Sequence, residues 1–76
     1  MTTLDQLKPG TQGRIVRIDG ADGIAARLRE MGFIPGAAVR AMRPAPFGDP
    51  LKCLIHGCRI ALRSGEARRI SIQPDG

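Results

Sequence analysis

Tryptophan and tyrosine are absent from this 76-residue chain, and Phe33 and Phe47 are its only aromatic residues. A core without large rings has to be assembled from Ile, Leu, Val, Met and Ala, and a domain this short buries only about 60% of the surface its unfolded chain exposes. A thin core is therefore expected, with stability on the order of 0.1 kcal/mol per residue. No apolar run approaches the ~18 residues that cross a bilayer, and the first ten residues lack a basic stretch followed by an apolar one. A soluble, cytoplasmic protein is the expectation. Cys53 and Cys58 are the only cysteines, too few for a secreted disulfide framework. With one histidine, no Ser-His-Asp candidate, no carboxylate pair on an apolar face and no phosphate-loop or dinucleotide glycine spacing, no constellation for catalysis is visible, and an enzyme is not expected.

What the chain does have is positive charge. Twelve Lys plus Arg face seven Asp plus Glu, for a formal charge of +5. Ten of the twelve are arginine, which favours planar, bidentate contacts with carboxylate or phosphate. The bases are scattered from Lys8 to Arg69 rather than gathered in a tail. They read as a solubilising and docking surface, with nucleic acid as the other candidate partner.

Turn residues punctuate the chain into short segments. Leu4 and Leu7 before Pro9-Gly10 suit one helical turn followed by a tight turn. Ile15, Val16 and Ile18 favour a strand over residues 11–18. Asp19 and Asp22 are both candidate N-caps for a helix in which Ile24, Leu28 and Met31 form one apolar stripe, leaving Arg27, Arg29 and Glu30 toward solvent. Gly32 is placed to end it. Phe33-Ile34-Pro35-Gly36 reads as a tight turn before a strand at 37–43. Pro44, Pro46 and Pro50 predict a stiff loop presenting Phe47 near its tip.

The hairpin that follows is the best-determined local structure. A two-residue turn at His56-Gly57 sets Ile55 opposite Cys58, Leu54 opposite Arg59, Cys53 opposite Ile60, Lys52 opposite Ala61 and Leu51 opposite Leu62. Leu51, Cys53, Ile55, Cys58, Ile60 and Leu62 then share one wholly apolar face, and a one-residue slip of either strand would turn its apolar set outward. Residues 64–69 can form a last short turn capped by Ser64, and 70–73 a closing strand. The expected fold is mainly β: a single domain over 1–76, a small five-stranded, partly open barrel with one α-helix inserted after the first strand, its ends at 1–3 and 74–76 frayed.

Cys53, His56 and Cys58 have the spacing Cys-x-x-His-x-Cys, which raises the question of a zinc or ferrous site. The hairpin register places both cysteines on the apolar face and the histidine in the turn, with no fourth ligand nearby, so packing is the expected role and no metal site is assigned. Lys52 and Arg59, with Arg63 just beyond, form a basic stripe on the hairpin's other face. RNA-binding barrels interleave such bases with stacking aromatics, and none is present there.

Four segments in order are residues 4–10 (Leu-x-x-Leu-x-Pro-Gly), 27–36 (Arg-Leu-Arg-Glu-Met-Gly-Phe-Ile-Pro-Gly), 45–50 (Ala-Pro-Phe-Gly-Asp-Pro) and 57–63 (Gly-Cys-Arg-Ile-Ala-Leu-Arg). Together they resemble the ferrous iron transport protein A family over residues 4–72. The C-terminal domain of iron-dependent repressors resembles the same family, and a 76-residue chain with no DNA-binding helices ahead of the domain favours the transport protein. The resemblance implies an SH3-like barrel in the cytoplasm. It also implies an accessory role to the membrane ferrous iron transporter FeoB, whose cytoplasmic part is a GTP-binding domain. Neither a channel nor a GTPase is implied, and no cofactor. Cys58 departs from the aromatic residue that the family often carries after the hairpin glycine.

Docking is expected through the helix and the adjoining turn, where Arg27, Arg29 and the edge of Met31 lie beside Phe33, with Phe47 as a second anchor. Arginine and exposed aromatics dominate interface energetics most often. Phe33 also continues the helix stripe after Met31, which makes it a candidate cap on the core. The alternative function is a basic, RNA-associated barrel.

Overall fold

The computed structural model describes residues 1–43 and 50–75, so Phe47 and the stiff loop expected around it lie outside the described residues. The elements run β1 (Thr2–Thr3), a 3-10 turn (Leu4–Gln6), β2 (Gln12–Ile18), α1 (Gly23–Glu30), β3 (Ala38–Ala41), β4 (Leu51–Ile55), β5 (Cys58–Leu62), α2 (Ser64–Ala67) and β6 (Ile70–Pro74). All neighbouring strands pair antiparallel in the order β1-β6-β2-β3-β4-β5, an open sheet of six strands.

Five of those strands match the expected ones, and α1 follows the first of them. The sixth, β1, was expected to fray. Thr2 and Thr3 instead pair with Ile72 and Ser71, and beyond β6 the Asp75 amide donates to the Gln12 carbonyl at 2.9 Å. Thr2, Thr3 and Asp75 are held because β6 lies between β1 and β2, and backbone pairing stabilises even a two-residue strand where a neighbour already offers its edge.

The core gathers inward-facing residues of every longer strand around Leu28 of α1 and Phe33, which are both fully buried together with Ile70 and Ile72. Burying each such side chain stabilises the fold by about 1.5–3 kcal/mol. Strand β2 reaches this core by an irregularity. Ile15 pairs with Ile72 but Arg17 pairs with Ser71, so Val16 is an extra residue, a β-bulge that lets Ile15 and Ile18 both face inward while Val16 and Arg17 face out. Gly13 is required by the same strand pair, since a Cβ there would sit 2.5 Å from Ile72 Cγ2 and 2.8 Å from the Gln73 carbonyl.

The hairpin has the expected register at all five pairs, from Leu51 with Leu62 to Ile55 with Cys58. His56 and Gly57 both take positive φ, 51° and 77°, which a type I′ turn demands. Burial departs from the expectation at one end: Cys53 is buried, whereas Cys58 is exposed. Strand β5 is the open edge of the sheet, so its inward face loses cover toward the turn while Leu62 at its far end keeps it.

Helix α1 also buries a different stripe from the expected one. Ala25 and Leu28 have no exposed surface and Met31 is half-buried, while Ile24 is 39% exposed. Ala25 and Leu28, at i and i+3, lie on the side of the helix that enters the core, whereas the apolar pattern by itself ranks Ile above Ala.

Candidate functional site

The expected docking region is built by α1 and its two ends. Asp22 caps the N-terminus, its Oδ1 accepting from the Ala25 amide at 3.1 Å. Arg69, just ahead of β6, grips the same carboxylate through two bonds of 2.7 and 2.9 Å. These donors favour the charged carboxylate and lower the Asp22 pKa to about 2. Arg29 reaches back from α1 to the Ile18 and Gly20 carbonyls at 3.2 and 3.1 Å, so the loop before the helix is clasped by two guanidiniums.

The other end closes by local hydrogen bonds. The Phe33 amide donates to the Leu28 carbonyl and the Gly32 amide to Arg29, with Gly32 at φ 105°, a Schellman ending whose accompanying apolar contact is Phe33 against Leu28. The hairpin turn seats on this ending. His56 Nε2 lies 3.2 Å from the Gly32 carbonyl, which can only accept, so that nitrogen carries the proton. A Cβ on Gly32 would come within 2.6 Å of the ring, making glycine necessary twice over.

Of the residues expected to dock a partner, Arg27 is largely exposed but pairs with Glu66 of α2, whose second oxygen accepts from the Arg63 amide at 3.1 Å. Arg29 holds the loop carbonyls described above, and Met31 shows one edge. Phe33 is fully buried. It is therefore corrected from a docking contact to a core residue that supports the turn from within, as its place at the end of the helix stripe foreshadowed. Two exposed apolar residues join the region instead. Ile24 lies on the same helix face as Arg27 and Met31, at i, i+3 and i+7, and Ile34 in the following turn is 47% exposed. The sequence signal for Ile24 was the alternative spacing of Ala25 and Leu28, at i and i+3, while nothing in the helix pattern marks Ile34.

The cysteine-histidine spacing is taken apart by the fold. The Cys53 thiol is buried against the Ile60 carbonyl, its pKa pushed up to about 11 by desolvation, whereas Cys58 lies on the sheet edge and His56 is held by Gly32. Among the described residues no group of three or more His, Cys, Asp or Glu side chains is arranged to hold a metal ion.

The expected basic stripe is wider than the hairpin. Strand register lines up Gln12, Arg40, Leu54 and Arg59 across β2 to β5, with Lys52 beside them and Arg14 on the same outer face. Of the four ion pairs of the described residues, Arg17 with Asp19 lies at the β2 end of this face, and Arg27 with Glu66, Arg68 with Asp5 and Arg69 with Asp22 involve arginines outside it.

A small antiparallel β domain with one helix packed into its core is, by class, SH3-like in fold. The FeoA domain family model matches residues 2–74, and the chain belongs to that family. Iron(II) transport protein A from Clostridium thermocellum has the same fold, with a TM-score of 0.91 and 36% identity over 96% of this chain and 45% of its own. FeoA of Stenotrophomonas maltophilia, a procaryotic SH3 domain protein crystallised with zinc, superposes with a TM-score of 0.85 and 35% identity over 96% and 91%. A Porphyromonas gingivalis protein that fuses Fe(2+) transport protein A to the Fe(2+) transporter FeoB is 33% identical over 70 residues. Those residues are 92% of this chain and 8% of that relative.

Proposed function

We propose that this protein is a cytoplasmic accessory of ferrous iron uptake that docks on the cytoplasmic GTP-binding region of the transporter FeoB and modulates its transport or GTPase activity. The observation that carries this reading is the Porphyromonas gingivalis relative, in which one chain holds both partners. Covalent fusion raises the effective concentration of one module at the other, a gain only where the two associate. No helix among the described residues is long and apolar enough to cross a membrane, which suits a domain that is brought to a transporter rather than embedded beside it.

The docking surface in this reading is the exposed strip Ile24, Arg27 and Met31, with Arg29 at its margin, Ile34 in the next turn and Phe47 as a second anchor. An apolar pair beside an arginine is the composition of an interface centre. The role is docking rather than catalysis. Binding of the FeoB cytoplasmic region by Arg27→Glu and Ile24→Asp variants tests the surface, once circular dichroism shows that each is folded. Affinity is expected to fall at least about tenfold for each, on the scale of a central interface residue. Parent-like binding by both would move the docking surface elsewhere.

A further inference from the structure

The outer sheet face has an organisation that docking through the helix leaves unused. Its bases come from four adjacent strands: Arg14 on β2, Arg40 on β3, Lys52 on β4 and Arg59 on β5. Arg40 and Arg59 flank Leu54 in one cross-strand row, two inter-strand gaps or about 10 Å apart. Arg40, Lys52 and Arg59 make no ion pair or side-chain hydrogen bond with any described residue, and Arg14 reaches only the Gly36 carbonyl. Among the described residues, carboxylates come to the margins of this face: Asp75 next to Gln12 in the strand pairing, Glu66 near Arg63, Asp19 paired with the outward Arg17 of β2, and Asp5 in the depression that Lys52 also lines. Asp5, Asp22 and Glu66 are themselves ion-paired, with Arg68, Arg69 and Arg27. Four bases on adjacent strands, none with a described carboxylate partner, thus share one face of the sheet.

We infer that this face rests on an anionic lipid surface, its bases set among phosphate headgroups. Long, flexible bases without ion-pair partners reach a plane of phosphates without needing a complementary shape, and each base within a Debye length of such a plane adds to the attraction. Leu54 in the middle of the row gives the face an apolar centre. Single-stranded nucleic acid is disfavoured because, among the described residues, no Phe, Tyr or Trp lies on this face and His56 at the margin of the Arg40–Leu54 row is its one ring. The choice of lipid among anions rests on the proposed work beside a membrane transporter. With the sheet face on the headgroups, the helix strip points away from the bilayer toward a cytoplasmic partner.

The test uses vesicles without any transporter, so its outcome is separate from that of FeoB binding. Co-flotation of the protein is measured with phosphatidylcholine vesicles and with vesicles that also contain phosphatidylglycerol. The expected result is partition onto the anionic vesicles alone, weakening as salt is raised. Removing each base from the face lowers partition about fivefold, so Arg40→Gln with Arg59→Gln lowers it about twenty-five-fold, while Arg68→Gln on the helix side stays within about twofold. No partition at low salt overturns the inference, as does equal partition by the Arg40/Arg59 variant, or a loss of about fivefold in the Arg68 variant, which would mean net charge alone. Tighter binding to a single-stranded RNA than to anionic vesicles at the same salt, again dependent on Arg40 and Arg59, would reassign the face to nucleic acid.

Discussion

Arginine performs two opposed jobs on the two sides of this domain. On the helix side Arg27, Arg69 and Arg29 are tied to Glu66, Asp22 and the loop carbonyls at 18 and 20, so their charge is spent holding α1 and α2 to the sheet. On the sheet face Arg40 and Arg59 hold nothing among the described residues. The same residue type therefore contributes to stability on one side and remains available for a partner on the other. The difference is set by where the acids fall in three dimensions.

The sharpest way to break the comparison is to attack what the helix side is anchored to. Leu28→Asp places an unpaired carboxylate at a fully buried position on α1. The expected loss is about 4 kcal/mol or more, comparable with the whole stability of a domain this size, so a thermal melt should show little or no folded protein at room temperature. An unchanged midpoint would mean that the helix is not seated on the core.

Gly32→Ala comes next. It demands a positive φ of a residue with a Cβ and drives that atom into the His56 ring, and a loss of about 2 kcal/mol is expected in denaturant unfolding. Pairing it with His56→Gly should recover part of that loss by removing the ring, leaving the backbone strain; complete recovery or none would contradict the double role given to this glycine.

Acid should distinguish the two sides. The folded-state pKa of Asp22 is about 2, below that of an unfolded aspartate, so its contribution to stability is fully present above about pH 5 and is lost as the pH falls through 2. Asp22→Asn keeps a capping oxygen but cannot titrate, and its melting temperature is expected to fall less steeply from pH 5 to pH 2 than that of the parent. Parallel curves would show that the Arg69 clasp adds nothing.

The smallest expected effect belongs to the sheet face. Arg40→Gln with Arg59→Gln should leave the denaturant midpoint within about 0.5 kcal/mol of the parent, because neither guanidinium has a partner to lose among the described residues. A larger loss would mean that this face is held from within after all.

How much of this was legible beforehand depended on the range of the interactions involved. The hairpin register and the glycine ending of α1 follow from residues close in the chain: alternation of period two, a turn needing positive φ at 56 and 57, and hydrogen bonds between Phe33 and Leu28. Those could be read from the amino-acid order alone, as could the thin aliphatic core and the absence of an aromatic stacking surface on the hairpin. Tertiary structure alone decided that Ala25 rather than Ile24 faces inward, that Cys58 is exposed while Cys53 is buried, and that Arg40 joins Arg59 in one basic row. It also decided that Arg27 meets Glu66, a residue 39 positions away. Each of these is settled by which element lies alongside another, through packing distance, an open sheet edge or a carboxylate brought within reach. None of those distances is encoded in spacing along the chain.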